Sequence, residues 1–107
     1  MKETVEQLKE LLGADFNLLV DAFDNDNREH LAHIQSAIDD KDFEQLTHAA
    51  HSIKGASSNL GAIELASVCQ KLESAGKEKD LSTAASDFEK AKGLFEQAVE
   101  ILKAERS

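Results

Sequence analysis

The chain contains no proline, tryptophan or tyrosine, only one cysteine, and no long apolar run. Because proline is the strongest helix breaker, its absence leaves every segment free to be helical. A single cysteine cannot form an intramolecular disulfide, which fits a reducing compartment. No apolar segment approaches the ~20 residues that span a bilayer, and the first ten residues lack the apolar stretch of a signal peptide. We therefore expect a cytoplasmic protein without a membrane partner.

Basic residues are also scarce, with 12 lysines and arginines against 21 acidic residues and a net charge of −9. Nucleic-acid binders and membrane-surface proteins need a positive face, so both kinds of partner are disfavoured. Residues 51–79 form the only segment without a negative net charge, since they contain four lysines and three glutamates. This uneven distribution is either due to chance or marks a surface that faces an anion. The length of 107 residues predicts one domain over 1–107, too short to include an ATP-binding domain.

Apolar residues recur at the helical period, whereas the alternating runs typical of strands are absent. The pattern predicts one short and four longer helices with short connections, as in up-and-down bundles. The apolar positions are Val5, Leu8, Leu11 and Leu12; Phe16, Leu19, Val20, Phe23, Leu31, Ile34 and Ile38; Phe43, Leu46, Ala50, Ile53, Ser57 and Leu60; Ala62, Leu65, Ala66, Cys69 and Leu72; and Leu81, Ala84, Phe88, Ala91, Phe95, Ala98 and Leu102. We predict an all-α fold, an up-and-down four-helix bundle with an additional short N-terminal helix.

Turn and capping residues mark the predicted boundaries. The second helix is expected to stop at the acidic turn 39–42. Asp42 with Gln45 three residues later resembles a capping box at the start of the third helix. Gly61 is expected to end the third helix, and the fourth helix is expected to end near Gly76. Cys69 occupies an apolar position of the fourth helix, so we expect a small core residue rather than a reactive thiol.

The third predicted helix has a polar stripe around His51. At ~100° per residue, His51 lies roughly 130° from the centre of the apolar stripe, towards solvent. Thr47, Lys54, Gly55 and Ser58 fall on the same face, because residues three or four apart are neighbours on a helix. An interior helix glycine costs ~1 kcal/mol relative to alanine, and no helix packing requires one on an exposed face. Gly55 therefore suggests close approach by another molecule, or else a tolerated local weakness.

Histidine beside lysine on such a face suits phosphoryl chemistry. A neutral imidazole is a good nucleophile near neutral pH, because the pKa of an unperturbed histidine is ~6.5. A phosphoryl group on the ring would have nearly two negative charges, which Lys54 one turn away could offset. The small side chains of residues 56–58 would not obstruct an incoming protein.

The segment HSIKGASSNLG at 51–61 resembles the signature of histidine-containing phosphotransfer (HPt) domains. That signature is a histidine, two residues, Lys-Gly, a small residue two positions later, and an apolar-Gly pair that ends the helix. The resemblance extends over residues 46–76. It implies a phosphocarrier of a multistep two-component phosphorelay rather than an independent enzyme. His51 would accept a phosphoryl group from a receiver-domain aspartate and pass it to another.

The resemblance also implies roles around His51. Lys54 would stabilise the phosphoryl group, and Gly55 would let the receiver domain approach. From their positions on the helix, we also expect Thr47, His48 and Ser58 to bind the partner. The chain would need no cofactor, since Mg²⁺ is expected on the receiver partner.

The same resemblance implies roles for two residues of the next helix. Family members often have a polar side chain at the position of Glu73, which could orient His51, although its negative charge should oppose the phosphorylated state. Lys77 lies where some relatives have a second basic residue. We expect a monomer, because the polar stripe must remain exposed.

Other interpretations were weighed against this one. Histidine kinase dimerisation domains usually have an acidic residue after the histidine, whereas Ser52 follows His51. The pairs His30/His33 and His48/His51 lack the repeated Glu-x-x-His pattern of carboxylate metal bundles, so no metal site is expected. The remaining rival is a non-catalytic helical adaptor or dimerisation bundle in which His51 is incidental.

The second helix has an acidic cluster. It is expected to be a solvated helix face, or else to select partners by charge. Its members are Asp21, Asp24, Asp26 and Glu29.

Overall fold

The computed structural model describes residues 1–106 as a set of helices without a strand in that range. Helix α1 spans Lys2–Leu12, and a 3₁₀ turn at Gly13–Asp15 leads into α2, Phe16–Asp40. The remaining helices are α3, Phe43–Asn59; α4, Ile63–Glu78; and α5, Ala84–Ala104. Each long helix packs on the next, and α5 returns to α2, which closes a four-helix bundle. The predicted all-α bundle with a short additional N-terminal helix is confirmed.

Left-handed residues end three of the helices. Gly61 has φ 75°, and its N–H donates to Ser58 O at 3.1 Å, while Ala62 N–H donates to Ser57 O at 2.9 Å. This pair of bonds is the Schellman pattern, so the predicted end of α3 is confirmed. Lysines in the same conformation, at positions 41 and 79, end α2 and α4 without a glycine.

Asp42 joins the end of α2 to the start of α3. Its Oδ1 accepts a hydrogen bond from Gln45 N–H at 3.1 Å, which is one half of the predicted capping box. The Asp42 N–H donates instead to Ala37 O at 2.9 Å, at the end of α2. The residue therefore fixes the turn that sets the direction of α3.

Helix α4 ends near Gly76, as predicted, at Glu78. Gly76 itself is buried against α3, and a Cβ there would lie 2.9 Å from the carbonyl oxygen of Phe43 and the amide nitrogen of Thr47. This glycine therefore lets α3 and α4 pack closely.

Two details of the predicted helices were wrong. Leu81 precedes α5 instead of belonging to it. Leu11, assigned to the apolar face of α1, is 79 % exposed.

The core fixes which face of α3 meets solvent. The helix packs against α2 and α4, and its buried residues are Leu46, Ala49, Ala50, Ile53 and Ser57. Cys69 of α4 is fully buried, and burial raises the pKa of its thiol to about 12, so it is a core residue as predicted. None of the helices within residues 1–106 is long and apolar enough to cross a membrane.

Candidate functional site

His51 projects from the exposed face of α3, as its spacing from the apolar stripe predicted. Its side chain is 65 % exposed. The burial of Ala50 and Ile53 on either side of it fixes the rotation of the helix, so the imidazole ring cannot turn into the core. The histidine side chain is therefore accessible to a partner.

Glu73 of α4 lies under this ring. Its side chain is only 4 % exposed, and its Oε2 lies 3.1 Å from His51 Nδ1. The Lys54 Nζ donates to Oε1 at 2.6 Å, and the Lys77 Nζ lies 3.2 Å from Oε2. We call His51, Lys54, Glu73 and Lys77 the His51 cluster. One buried carboxylate thus holds together three groups that can be positively charged.

The three neighbours decide the charge of Glu73. The hydrogen bond from Lys54 lowers the pKa of this carboxyl group, burial opposes the shift, and Lys77 and His51 lower it further, to about 2. Glu73 is therefore ionised at neutral pH. An ionised carboxylate can only accept hydrogen bonds, so His51 Nδ1 is the donor and has a hydrogen. In the neutral form of this ring, the lone pair is then on Nε2, the other ring nitrogen.

The position of Glu73 follows from the periodicity of α4. It comes four residues after the buried Cys69, so it shares the face that packs against α3. Burying a charge is costly unless the charge is paired, and Lys54 and Lys77 supply that pairing. The sequence predicted that Glu73 could orient His51, but it indicated neither the burial of Glu73 nor its contacts with Lys54 and Lys77. The signal was available: Lys77 is four residues further on the same helix face.

Lys54 is held between two groups of α4. Besides Glu73, its Nζ donates to Gln70 Oε1 at 3.0 Å, a contact that the sequence did not indicate. The lysine side chain is 26 % exposed. Its ammonium group is therefore ordered beside the histidine instead of extending freely into water.

The other predicted residues of α3 differ in their surroundings. A Cβ added at Gly55 would meet no atom within 4 Å, so nothing inside the protein requires a glycine there. His48 and Ser58 are exposed. Thr47 is half-buried, and its hydroxyl donates to Phe43 O at 2.8 Å, so it is engaged within the bundle and less available than predicted.

A groove beside the site was not predicted. It has a volume of about 640 Å³ and lies between α1, α2 and α3. Ser52 and Ala56 of α3 line one wall, and Leu8, Leu19 and Phe23 line the others. Helical periodicity could not reveal it, because the groove depends on how three helices pack.

The acidic cluster of α2 is only partly solvated, so the prediction of a fully solvated helix face was wrong. Asp24 contacts Arg28 at 2.7 Å and Lys103 at 3.1 Å, and its side chain is 15 % exposed. Asp21 pairs with Arg106 at 2.8 Å. Two members of the cluster therefore tie α2 to the end of the chain.

Within residues 1–106, the two histidine pairs have no further metal-ligating side chains grouped around them. The rings of His30 and His33 meet edge to face, with centroids 6.3 Å apart. Over residues 1–106, no three histidine, cysteine, aspartate or glutamate side chains come together as a metal site would require.

Comparison with known proteins identifies the family. The family model for the Hpt domain matches residues 18–105. Among solved structures, the chain is similar to the crystal structure of histidine-containing phosphotransfer protein B (HptB) from Pseudomonas aeruginosa PAO1. The TM-score is 0.91 and the identity 33 %, over 97 % of this chain and 90 % of that chain. No curated protein matches the chain significantly. Because the family model covers most of the chain, the protein belongs to the Hpt domain family of histidine phosphotransfer proteins, which are phosphocarriers of phosphorelays.

Proposed function

We propose that His51 is the residue that carries the phosphoryl group, taking it from a receiver-domain aspartate and giving it to the aspartate of another receiver. The observation that supports this most is the state of the imidazole ring. Nδ1 donates to a buried, ionised carboxylate, while Nε2 of the 65 % exposed side chain is left as the nucleophile.

The transfer step needs no general base, because no proton has to leave the attacking nitrogen. The lone pair on Nε2 forms the nitrogen–phosphorus bond, and the phosphorus–oxygen bond to the receiver aspartate breaks. Its electron pair stays on the aspartate, which becomes a carboxylate. Passing the group to the next receiver reverses these changes at His51, with a new aspartate oxygen as the nucleophile.

The charges of the His51 cluster suit the phosphorylated state. A phosphoryl group adds nearly two negative charges beside a ring that is mostly exposed. Lys54 and Lys77 together face only one carboxylate, that of Glu73, so positive charge remains to offset the phosphoryl group. Lys54 is the closer partner, since it comes from the same helix one turn after His51.

The receiver domain would approach along α3. Gly55 presents bare backbone one turn beyond His51, and His48 and Ser58 are exposed on the same surface. Thr47 would contribute less, because its hydroxyl is engaged within the bundle. Mg²⁺ would be held by the receiver, and this chain would act as a cytoplasmic, monomeric single domain without nucleic-acid or membrane partners.

The proposal is tested by transfer from a labelled, phosphorylated receiver domain to the wild type and to His51→Gln. Label is expected only on the wild type, and it should be lost in acid but kept in base, as a phosphoramidate is. Circular dichroism checks that both proteins are folded. If several unrelated receivers all fail to label the folded wild type, the adaptor interpretation replaces this proposal.

A further inference from the structure

We propose that Glu73 keeps a proton on His51 Nδ1 throughout the transfer cycle and so keeps the phosphorylated state short-lived. The inference rests on the proposed function of His51 and concerns how long that residue holds its phosphoryl group. Glu73 is a positioning residue in this account, since it contacts the ring and not the phosphorus.

The two ring nitrogens of His51 have different surroundings. Glu73 Oε2 is 3.1 Å from Nδ1, and the carboxylate is held from its other side by Lys54 at 2.6 Å. Because Glu73 is buried and Nε2 is the nitrogen that reacts, phosphorylation need not disturb the contact at Nδ1. The same carboxylate can therefore accept the Nδ1–H bond before and after transfer.

The proton on Nδ1 matters for the chemistry of the outgoing step. When Nε2 gains phosphorus and Nδ1 keeps hydrogen, the ring has one positive charge. Breaking the nitrogen–phosphorus bond returns the electron pair to Nε2 and releases a neutral imidazole, with no proton entering or leaving. If Nδ1 had lost its proton, the same step would release an anionic imidazolate, which is a much poorer leaving group.

A carboxylate in contact favours the protonated ring. An imidazole substituted on one nitrogen still titrates on the other, near the ordinary histidine pKa of about 6.5. An opposite charge in hydrogen-bond contact moves such a pKa by about one unit or more towards the charged form. Glu73 would therefore retain the Nδ1 proton, and with it the labile state, to higher pH.

The other charged groups around His51 do not replace this contact. Lys54 and the titratable His48 come from α3 and Lys77 from α4, and the positive charges of the two lysines oppose protonation of the ring. On α2, Asp26 and His30 line the groove beside Ser52. Among the side chains that the structure describes, the carboxylate that pairs with the His51 ring is Glu73. Its removal should thus be visible in the pH dependence of the phosphorylated state.

The experiment compares the wild type with Glu73→Gln, whose amide oxygen can still accept from Nδ1–H but has no charge. Each protein is phosphorylated with phosphoramidate, a small donor that needs no receiver, and the decay of phosphohistidine is followed by ³¹P NMR across neutral to alkaline pH. The wild type should stay labile to higher pH. In Glu73→Gln the midpoint of lability should fall by about one pH unit, and near pH 8 the lifetime should be about tenfold longer.

Glu78→Gln is the matched control, because it removes an exposed carboxylate from the same helix outside the His51 cluster. It should decay like the wild type. If Glu73→Gln does not fold by circular dichroism, Glu73→Asp keeps the charge but withdraws it from Nδ1, and a smaller fall in the midpoint is expected. Equal midpoints in the wild type and the folded variant would overturn the inference alone. A wild type that forms no phosphohistidine would overturn the proposed function and the inference with it.

Discussion

Two clusters of charged side chains on this bundle have similar ion pairs but differ in net charge. In the His51 cluster, Glu73 holds two lysines at 2.6 and 3.2 Å. Across α2 and α5, Asp24 holds Arg28 and Lys103 at 2.7 and 3.1 Å, and Arg28 also reaches Glu96 at 2.6 Å while lying over the Phe95 ring. We call these four, Asp24, Arg28, Glu96 and Lys103, the Arg28 cluster.

The two clusters differ in the net charge that remains once the ion pairs have formed. In the Arg28 cluster two cations face two carboxylates, so the charges cancel, and the contacts of Lys103 and Glu96 join α5 to α2. In the His51 cluster two lysines face one carboxylate, and the His51 ring contacts that carboxylate through Nδ1, which leaves Nε2 for reaction. Surplus positive charge next to an exposed nucleophile is what an incoming phosphoryl group needs. Changes in the His51 cluster should therefore affect transfer, and changes in the Arg28 cluster should affect stability by at most about 1 kcal/mol.

The largest effect is expected from Gly55→Glu, which should reduce transfer from a phosphorylated receiver by about a hundredfold or more. The added side chain has room within the protein, so it would obstruct only the partner. Stability should rise by about 0.5 kcal/mol, since glutamate is a better helix former than glycine. Transfer kinetics and denaturant unfolding measure the two effects.

Gly93→Glu is the matched control for this prediction. Gly93 lies on α5, and a Cβ there also meets no atom within 4 Å. The same gain in stability without a loss of transfer is expected. Normal transfer in Gly55→Glu would contradict the assigned role of the glycine, and Gly55→Gln separates added bulk from added charge.

The next effect concerns stability in acid. Because the folded protein lowers the pKa of Glu73 from 4.5 to about 2, its stabilisation is complete above the unfolded value and is lost as pH falls towards 2. The stability advantage of the wild type over Glu73→Gln should shrink by about 2 kcal/mol between neutral pH and pH about 3.

Asp24→Asn gives the comparison from the Arg28 cluster. Burial of Asp24 raises its pKa, but hydrogen bonds from Arg28 and Lys103 outweigh burial, and the net direction is downwards. Its acid dependence should have the same sign and a smaller size. Urea unfolding followed by circular dichroism at several pH values measures both, and a pH-independent difference for Glu73→Gln would refute the ionised, paired state.

A smaller effect is expected from Lys54→Ala, which should slow transfer about tenfold, or about 1.4 kcal/mol in activation free energy. The cause is the loss of one ordered cation beside the phosphoryl group. Lys103→Ala removes a lysine from the Arg28 cluster and should leave transfer unchanged. Equal rates in Lys54→Ala and the wild type would remove this lysine from the site.

The helices could be read from the sequence because their signals are local. The apolar spacing around Leu46, Ala50 and Ile53 gave the rotation of α3, and Gly61 gave its end through a left-handed turn. The same local pattern indicated that His51 faces solvent. These features depend on residues within one or two turns of each other, which is the range over which helical periodicity is informative.

Features that depend on packing between helices were missed or misjudged. Gly76 marked the approximate end of α4, but the sequence did not indicate that it is a contact point where Thr47 and Phe43 of α3 approach the backbone of α4. Glu73 looked like an unfavourable charge beside His51, but two lysines compensate it. Neither fact follows from one helix alone, since each requires the register between α3 and α4.

The most direct test of the central claim is to identify which nitrogen of which histidine carries the phosphoryl group. Protein labelled with ¹⁵N at histidine and phosphorylated with phosphoramidate would show the nitrogen–phosphorus coupling by NMR. We predict one phosphohistidine, at His51, with phosphorus on Nε2 and a hydrogen retained on Nδ1. Phosphorus on Nδ1 of His51, or on His30, His33 or His48 instead, would contradict the account.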